Sequence, residues 1–93
     1  MAFRKKNCEH LLAISEPRLP QVYECEECVE LGDSWVHLRT CQECGITLCC
    51  DSSPNKHASK HAERHHHFVI ISAEPNEFWM WCYAHKILAK YTI

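Results

Sequence analysis

The sequence predicts a small α+β domain. A short twisted antiparallel sheet is flanked by a central helix, over about residues 57–63, and a second helix at the C-terminus. Three observations predict it. Brief runs such as Trp35-Val36-His37-Leu38, Ile46-Thr47-Leu48 and Phe68-Val69-Ile70-Ile71 have strand character. His57 and His61 stand four residues apart and share one helix face. The stretch from Cys41 to His67 is dense in Cys and His, holding Cys44, Cys49, Cys50, His57, His61, His65 and His66 between its ends, a composition that packing alone does not call for.

A chain of 93 residues is expected to form one domain, 1–93, and its apolar core alone would stabilise it only marginally. The apolar fraction of 46% includes 8 cysteines. Thiolate and neutral imidazole are the ligands of tetrahedral zinc, and short CxxC pairs are the usual way a protein presents them. The balance of Cys with 8 His favours metal over a disulfide scaffold. The formal charge of −2 gives no electrostatic reason to expect nucleic acid, and seven thiolates with three Zn²⁺ leave it slightly more negative. No apolar run approaches membrane-spanning length, and the basic lead-in Met1–Lys6 meets polar Asn7 rather than an apolar stretch. The expectation is a cytoplasmic, reduced protein with a frayed lead-in.

The elements follow in order. Cys8-Glu-His10 is a CxH pair, followed by an apolar patch of Leu11, Leu12 and Ile14 and a loop marked by Pro17 and Pro20. Val22–Cys25 reads as a strand entering a turn. Cys25-Glu-Glu-Cys28 is the first CxxC; a redox role would want a βαβ setting with a helix starting at Cys25, and Glu26 and Glu27 are expected to raise the thiol pKa values. Gly32-Asp33-Ser34 is a turn. Trp35 reads as a core or rim aromatic, and His37 as exposed or hydrogen-bonded. Cys41-Gln-Glu-Cys44-Gly45 is the second CxxC, with Gly where a zinc knuckle needs positive φ. Cys49 and Cys50 are strand neighbours facing opposite sides, so one of the two is a ligand. Residues 51–55 form a turn-rich loop with N-cap candidates. Ala58 stands where a zinc protease of the HExxH type carries its general base. One of His65, His66 and His67 is a ligand. Glu74–Glu77 is a turn. In Phe78-Trp79-Met80-Trp81-Cys82-Tyr83-Ala84-His85 the aromatics alternate, so one set can face the core and the other a groove, and Cys82 and His85 form a CxxH pair. Residues 86–93 close as a helix with Ile87, Leu88 and Tyr91 docking inward.

Six pairs supply twelve candidate ligands: Cys8 and His10, Cys25 and Cys28, Cys41 and Cys44, Cys49 and His57, His61 and His67, Cys82 and His85. Twelve suffice for three tetrahedral zinc sites. A lone CxxC says little; two CxxC pairs followed by Cys, His, His and His say a great deal.

From Cys8 to His85 this order of motifs resembles the UBP-type zinc finger, or BUZ domain, found in ubiquitin-specific proteases and in a cytoplasmic histone deacetylase. The segment Cys49–Ala58 resembles small stand-alone bacterial members, and His85 stands where the terminal WCYxC-like segment of relatives carries Cys. The resemblance implies a crossed pattern. One ion takes Cys25, Cys28, Cys49 and His57; a second takes Cys41, Cys44, His61 and His67; a third takes Cys8, His10, Cys82 and His85. Sites saturated in this way leave no position for a reacting water, which argues against an enzyme. The resemblance further implies binding of a peptide, or of a protein's C-terminus, in an aromatic groove. Trp81 and Tyr83 match the aromatic positions; Cys49-Cys50-Asp51 replaces a Cys-Gly-Arg segment, so Asp51 stands at the cationic anchor; Arg39 occupies the place of a pocket Trp. A protein-interaction module is the reading these residues support, and recognition of the ubiquitin Gly-Gly tail is the alternative. A nucleic-acid-binding finger fails on charge. A thiol-redox or metal-buffering protein would use Cys50 as an exposed thiol.

Overall fold

The structure, a computed structural model, describes residues 8–92. The expected lead-in, Met1–Lys6, lies outside the described residues. The elements are α1 (Glu9–Leu12), α2 (Glu26–Leu31), β1 (Leu38–Cys41), β2 (Thr47–Cys49), α3 (His57–His65), β3 (Val69–Ser72), β4 (Trp79–Cys82) and β5 (Ile87–Lys90). The strands form one sheet in the order β2-β1-β3-β4-β5, and every neighbouring pair is antiparallel.

Register divides the sheet into two faces. Thr40 pairs with both Thr47 and Ile71, Ile71 with Met80, and Met80 with Ala89, a row in which every side chain is buried. The two buried hydroxyls in that row satisfy each other, Thr40 Oγ1 to Thr47 Oγ1 at 2.9 Å. The next row, Ile70, Trp81 and Leu88, lies on the opposite face. The core has two parts, each built around cysteines. Leu11, Val69, Ile71, Met80, Ala89 and Tyr91 gather about Cys8 and Cys82. Leu38, Leu48, Ala58 and Ala73 gather about Cys25, Cys28 and Cys49.

Four expectations are corrected. Val22–Cys25 is not a strand: Cys25 is the N-cap of α2, its Sγ accepts the Cys28 N–H at 3.3 Å, and Glu26 and Glu27 fall in the first turn, where the helix dipole favours acids. The strand expected from Trp35 begins instead at Leu38, because Val36 gives its N–H to Ser53 Oγ at 2.8 Å rather than to a neighbouring strand. No residue of the 51–55 loop caps α3. Lys56 holds the N-cap position with φ 50 and no side-chain cap, while the His57 N–H goes to Cys49 Sγ at 3.3 Å and Asn55 Nδ2 to Asp33 Oδ2 at 2.9 Å.

The expected C-terminal helix is strand β5. After β4 the backbone reverses through Lys86, with φ 56 and its N–H on the Cys82 carbonyl at 2.7 Å, and returns along β4. Burial then alternates with the two-residue period of a strand, Ala89 and Tyr91 in and Leu88 out. An edge on β4 outweighs the weak helical preference of so short a segment. Ile87 and Tyr91 dock inward as expected, and Leu88 does not.

Beyond β3, Glu74 ties three segments together. It accepts from Tyr23 Oη at 2.7 Å and from the Leu38 N–H at 2.9 Å, and His37 Nδ1 lies 3.7 Å away. Burial raises the Glu74 pKa, but these donors and Arg39 outweigh it and hold the carboxyl below its ordinary value. A depressed folded-state pKa contributes stability above the unfolded-state value, lost as pH falls through the folded one. Glu74→Gln is therefore expected to lower stability at neutral pH by about 1–2 kcal/mol, the scale of a hydrogen bond to a charged group discounted for partial exposure. Denaturant titration of both proteins should show that difference shrinking as the medium is acidified below the usual carboxylate range.

Candidate metal centres and an aromatic groove

The twelve candidate ligands fall into three groups of four, Cys25, Cys28, Cys49 and His57; Cys41, Cys44, His61 and His67; and Cys8, His10, Cys82 and His85, with the ligand atoms of each group all within 4.8 Å of one another.

The first group joins the start of α2, the end of β2 and the start of α3, and all four side chains are buried. His57 Nδ1 lies 3.4 Å from Cys25 Sγ, 3.4 Å from Cys28 Sγ and 3.7 Å from Cys49 Sγ, and the Cys28 and Cys49 sulfurs are 3.9 Å apart. Around a tetrahedral zinc, sulfur–nitrogen edges are about 3.6 Å and sulfur–sulfur edges about 3.8 Å, so this cage has the size of one ion. The Asn55 amide adds a contact to Cys28 Sγ at 3.7 Å. Burial first, then the neighbouring Cys28 and Cys49 thiols, push the Cys25 thiol up to about 12; a bound cation reverses that penalty and holds the thiolates deprotonated. The glutamates of this CxxC are not the cause of the shift. Glu26 Oε2 accepts the Thr47 N–H at 2.9 Å, and Glu27 Oε1 faces His57 Nε2 at 3.6 Å, on the side of the ring away from the thiols. The helix a redox CxxC would want is present at Cys25, but Cys25 and Cys28 here face Cys49 and His57 in a closed cage, and the sheet is antiparallel throughout.

The second group takes Cys41 from the end of β1, Cys44 from the knuckle, His61 from α3 and His67 from just beyond it. Gly45 has φ 83, as the knuckle requires, and returns its N–H to the Cys41 carbonyl at 2.9 Å. Cys44 Sγ is 3.4 Å from His61 Nε2 and Cys41 Sγ 3.6 Å from His67 Nδ1. Burial, then His65 and His67, lower the His61 pKa, which favours the neutral ring a metal needs. This group is more open than the first: Cys44 is exposed and His67 is half-buried, while His61 is buried.

The third group joins the start of α1 to the turn after β4. Cys8 Sγ is 3.1 Å from His85 Nδ1, and Cys82 Sγ is 3.4 Å from His10 Nδ1 and 3.7 Å from His85 Nδ1. His85, itself exposed, supplies the fourth donor of this group.

Cys50, next to Cys49, belongs to no group. It is 3% exposed, which corrects its reading as an exposed thiol, and its Sγ lies 3.6 Å from Ser53 Oγ. It lines a pocket of about 210 Å³ on the open face of the sheet, together with Arg39, Asp51, Ser52, Ile70, Trp79, Trp81, Tyr83 and Leu88. The four expected groove residues, Arg39, Asp51, Trp81 and Tyr83, therefore share one pocket. Trp79 and Leu88 complete it; the alternation from Phe78 to Tyr83 already carried Trp79, whereas Leu88 was hidden by reading its segment as a helix. The Arg39 guanidinium lies 4.8 Å from the Trp79 ring centroid, and its Nη1 donates to the Leu38 carbonyl at 2.9 Å. Among the described residues no carboxylate forms an ion pair with Arg39. Burial, then Asp51, raise the Tyr83 pKa, so its hydroxyl stays a neutral donor. Asp51 and Tyr83 also border an open hollow lined by Lys60, Glu63, Phe68 and Lys86.

Three Cys/His cages crossed over a five-stranded sheet define a multi-zinc finger. The chain belongs to the UBP-type zinc-finger family: the profile described as "Zn-finger in ubiquitin-hydrolases and other protein" matches residues 25–90. Domains of this family are zinc-binding interaction modules and not catalytic by themselves. The solution NMR structure of protein RPA1320 from Rhodopseudomonas palustris is similar, with a TM-score of 0.81 and 39% sequence identity over 94% of this chain and 84% of that one. No curated protein matches the sequence. No helix among the described residues is long and apolar enough to cross a membrane.

Proposed function

We propose that the protein is a non-catalytic, single-domain interaction module, residues 1–93, in which three structural zinc ions are held by the three groups of four and the aromatic groove binds the C-terminal end of a partner protein. The observation that carries this reading is Arg39 lying in the same pocket as Trp79, Trp81 and Tyr83, with no carboxylate among the described residues paired to it. A terminal carboxylate is the complementary group, and the aromatic floor suits the last side chains of an extended peptide. Asp51 at the pocket's border suits a backbone N–H, and the hollow beyond it gives upstream residues room. Four protein donors in each cage support the non-catalytic part of the reading. Its thiolates need a reducing compartment, for which the cytoplasm is proposed, and near-balanced charge supports neither a nucleic-acid nor a membrane partner.

A peptide library displayed with free C-termini tests the groove. Wild-type protein is expected to enrich a subset, and Arg39→Gln to weaken the enriched peptides about ten- to a hundredfold, the equivalent of roughly 1.5–3 kcal/mol for a charged hydrogen bond. Amidating the peptides should have the same effect; peptides indifferent to both changes would refute the reading. A peptide ending in free Gly-Gly is expected to bind weakly, because glycines offer no side chain to the floor of Trp79, Trp81 and Tyr83. Micromolar binding of that peptide, lost on amidation, would instead support ubiquitin-tail recognition.

A further inference from the structure

We propose that His65 is a reserve zinc ligand of the second group, able to take the coordination position of His67. His65 ends α3, one turn after His61 and on the same helix face. Its ring centroid lies 4.7 Å from that of His61 and 5.7 Å from that of His67, and the His61 and His67 centroids are 5.3 Å apart. Two imidazoles on one tetrahedral zinc have centroids about 5 Å apart, given a zinc–nitrogen bond of about 2.0–2.1 Å. The third group supplies a comparison within the same molecule: His10 and His85, which share a cage, have centroids 4.9 Å apart. The His65 ring is thus spaced from both rings of the second group much as pairs on one ion are, while Cys41 and Cys44 leave positions for only two of the three.

Solvent access lets the exchange happen. His65 is exposed, so its ring can turn toward the ion without displacing packed neighbours. The left-handed backbone at His66, φ 57, turns the backbone between the two competitors, so His65 approaches from the helix and His67 from the segment beyond it. Zinc has no ligand-field preference between the two imidazoles and accepts a fifth donor in passing. His66 is a natural control, its ring lying 5.7 Å from that of Phe68.

Zinc counting by native mass spectrometry, with histidine-ring NMR, tests the proposal. His67→Ala is expected to keep three ions, with the His65 ring showing a metal-bound nitrogen. His66→Ala/His67→Ala should also keep three, and His65→Ala/His67→Ala should fall to two. Two ions in His67→Ala, a free His65 ring in that variant, or three ions in the His65→Ala/His67→Ala double variant would each overturn it. Should His67→Ala not fold in excess zinc, His67→Gln, which keeps bulk but offers no imidazole, is measured in the same way; its failure to fold or to hold three ions would also overturn the proposal.

Discussion

Stripping zinc at neutral pH with a strong chelator is expected to unfold the protein, not to leave a compact apo form. Both parts of the core are organised around the proposed ligands: Cys25, Cys28 and Cys49 sit at the centre of one, Cys8 and Cys82 in the other. A structural zinc site contributes on the order of 10 kcal/mol to folding, whereas a whole domain is stable by about 5–15 kcal/mol. Losing the first ion would leave three buried thiols and an imidazole crowded together with no compensating charge. Amide NMR dispersion and far-UV circular dichroism should collapse together on chelation and return when zinc is restored. An apo protein that keeps native dispersion would show that the apolar core suffices alone.

Cys49→Ser is expected to release one ion and destabilise the fold by several kcal/mol, while its neighbour Cys50→Ser keeps full zinc content. Cys49 is fully buried, lies 3.7 Å from His57 Nδ1 and accepts the first N–H of α3, so its sulfur joins the cage and the helix start. Cys50 faces away from the cage, bonds Ser53 and borders the groove. Serine there keeps a hydroxyl partner and a similar volume, so its effect should be confined to peptide binding. Metal analysis and thermal melts of both variants check the pair; the reverse pattern would move the loop by one residue.

Much of the site was legible because metal ligation fixes residue type and spacing together. The CxxC pairs, the four-residue interval from His57 to His61 and the glycine after Cys44 each carry a geometric requirement readable without coordinates. The start of α2 was not, since the cap that launches it is a sulfur, not the oxygen of Ser, Asp or Asn, and α3 likewise begins on a Cys49 sulfur. β5 was misread because a few residues near a terminus carry little periodicity, and their strand state depends on pairing with β4. Arg39 was identified as a substitution in the expected pocket, but its position over Trp79 follows from the order β1-β3-β4, which local sequence does not encode.

Three Cys/His cages, each holding a zinc ion, are what build this domain. Native mass spectrometry of protein purified without added metal, repeated after denaturation to obtain the bare polypeptide mass, measures it directly. The mass difference should equal three zinc ions less the protons their thiolates release. A folded protein with one ion or two, or none, would contradict the account.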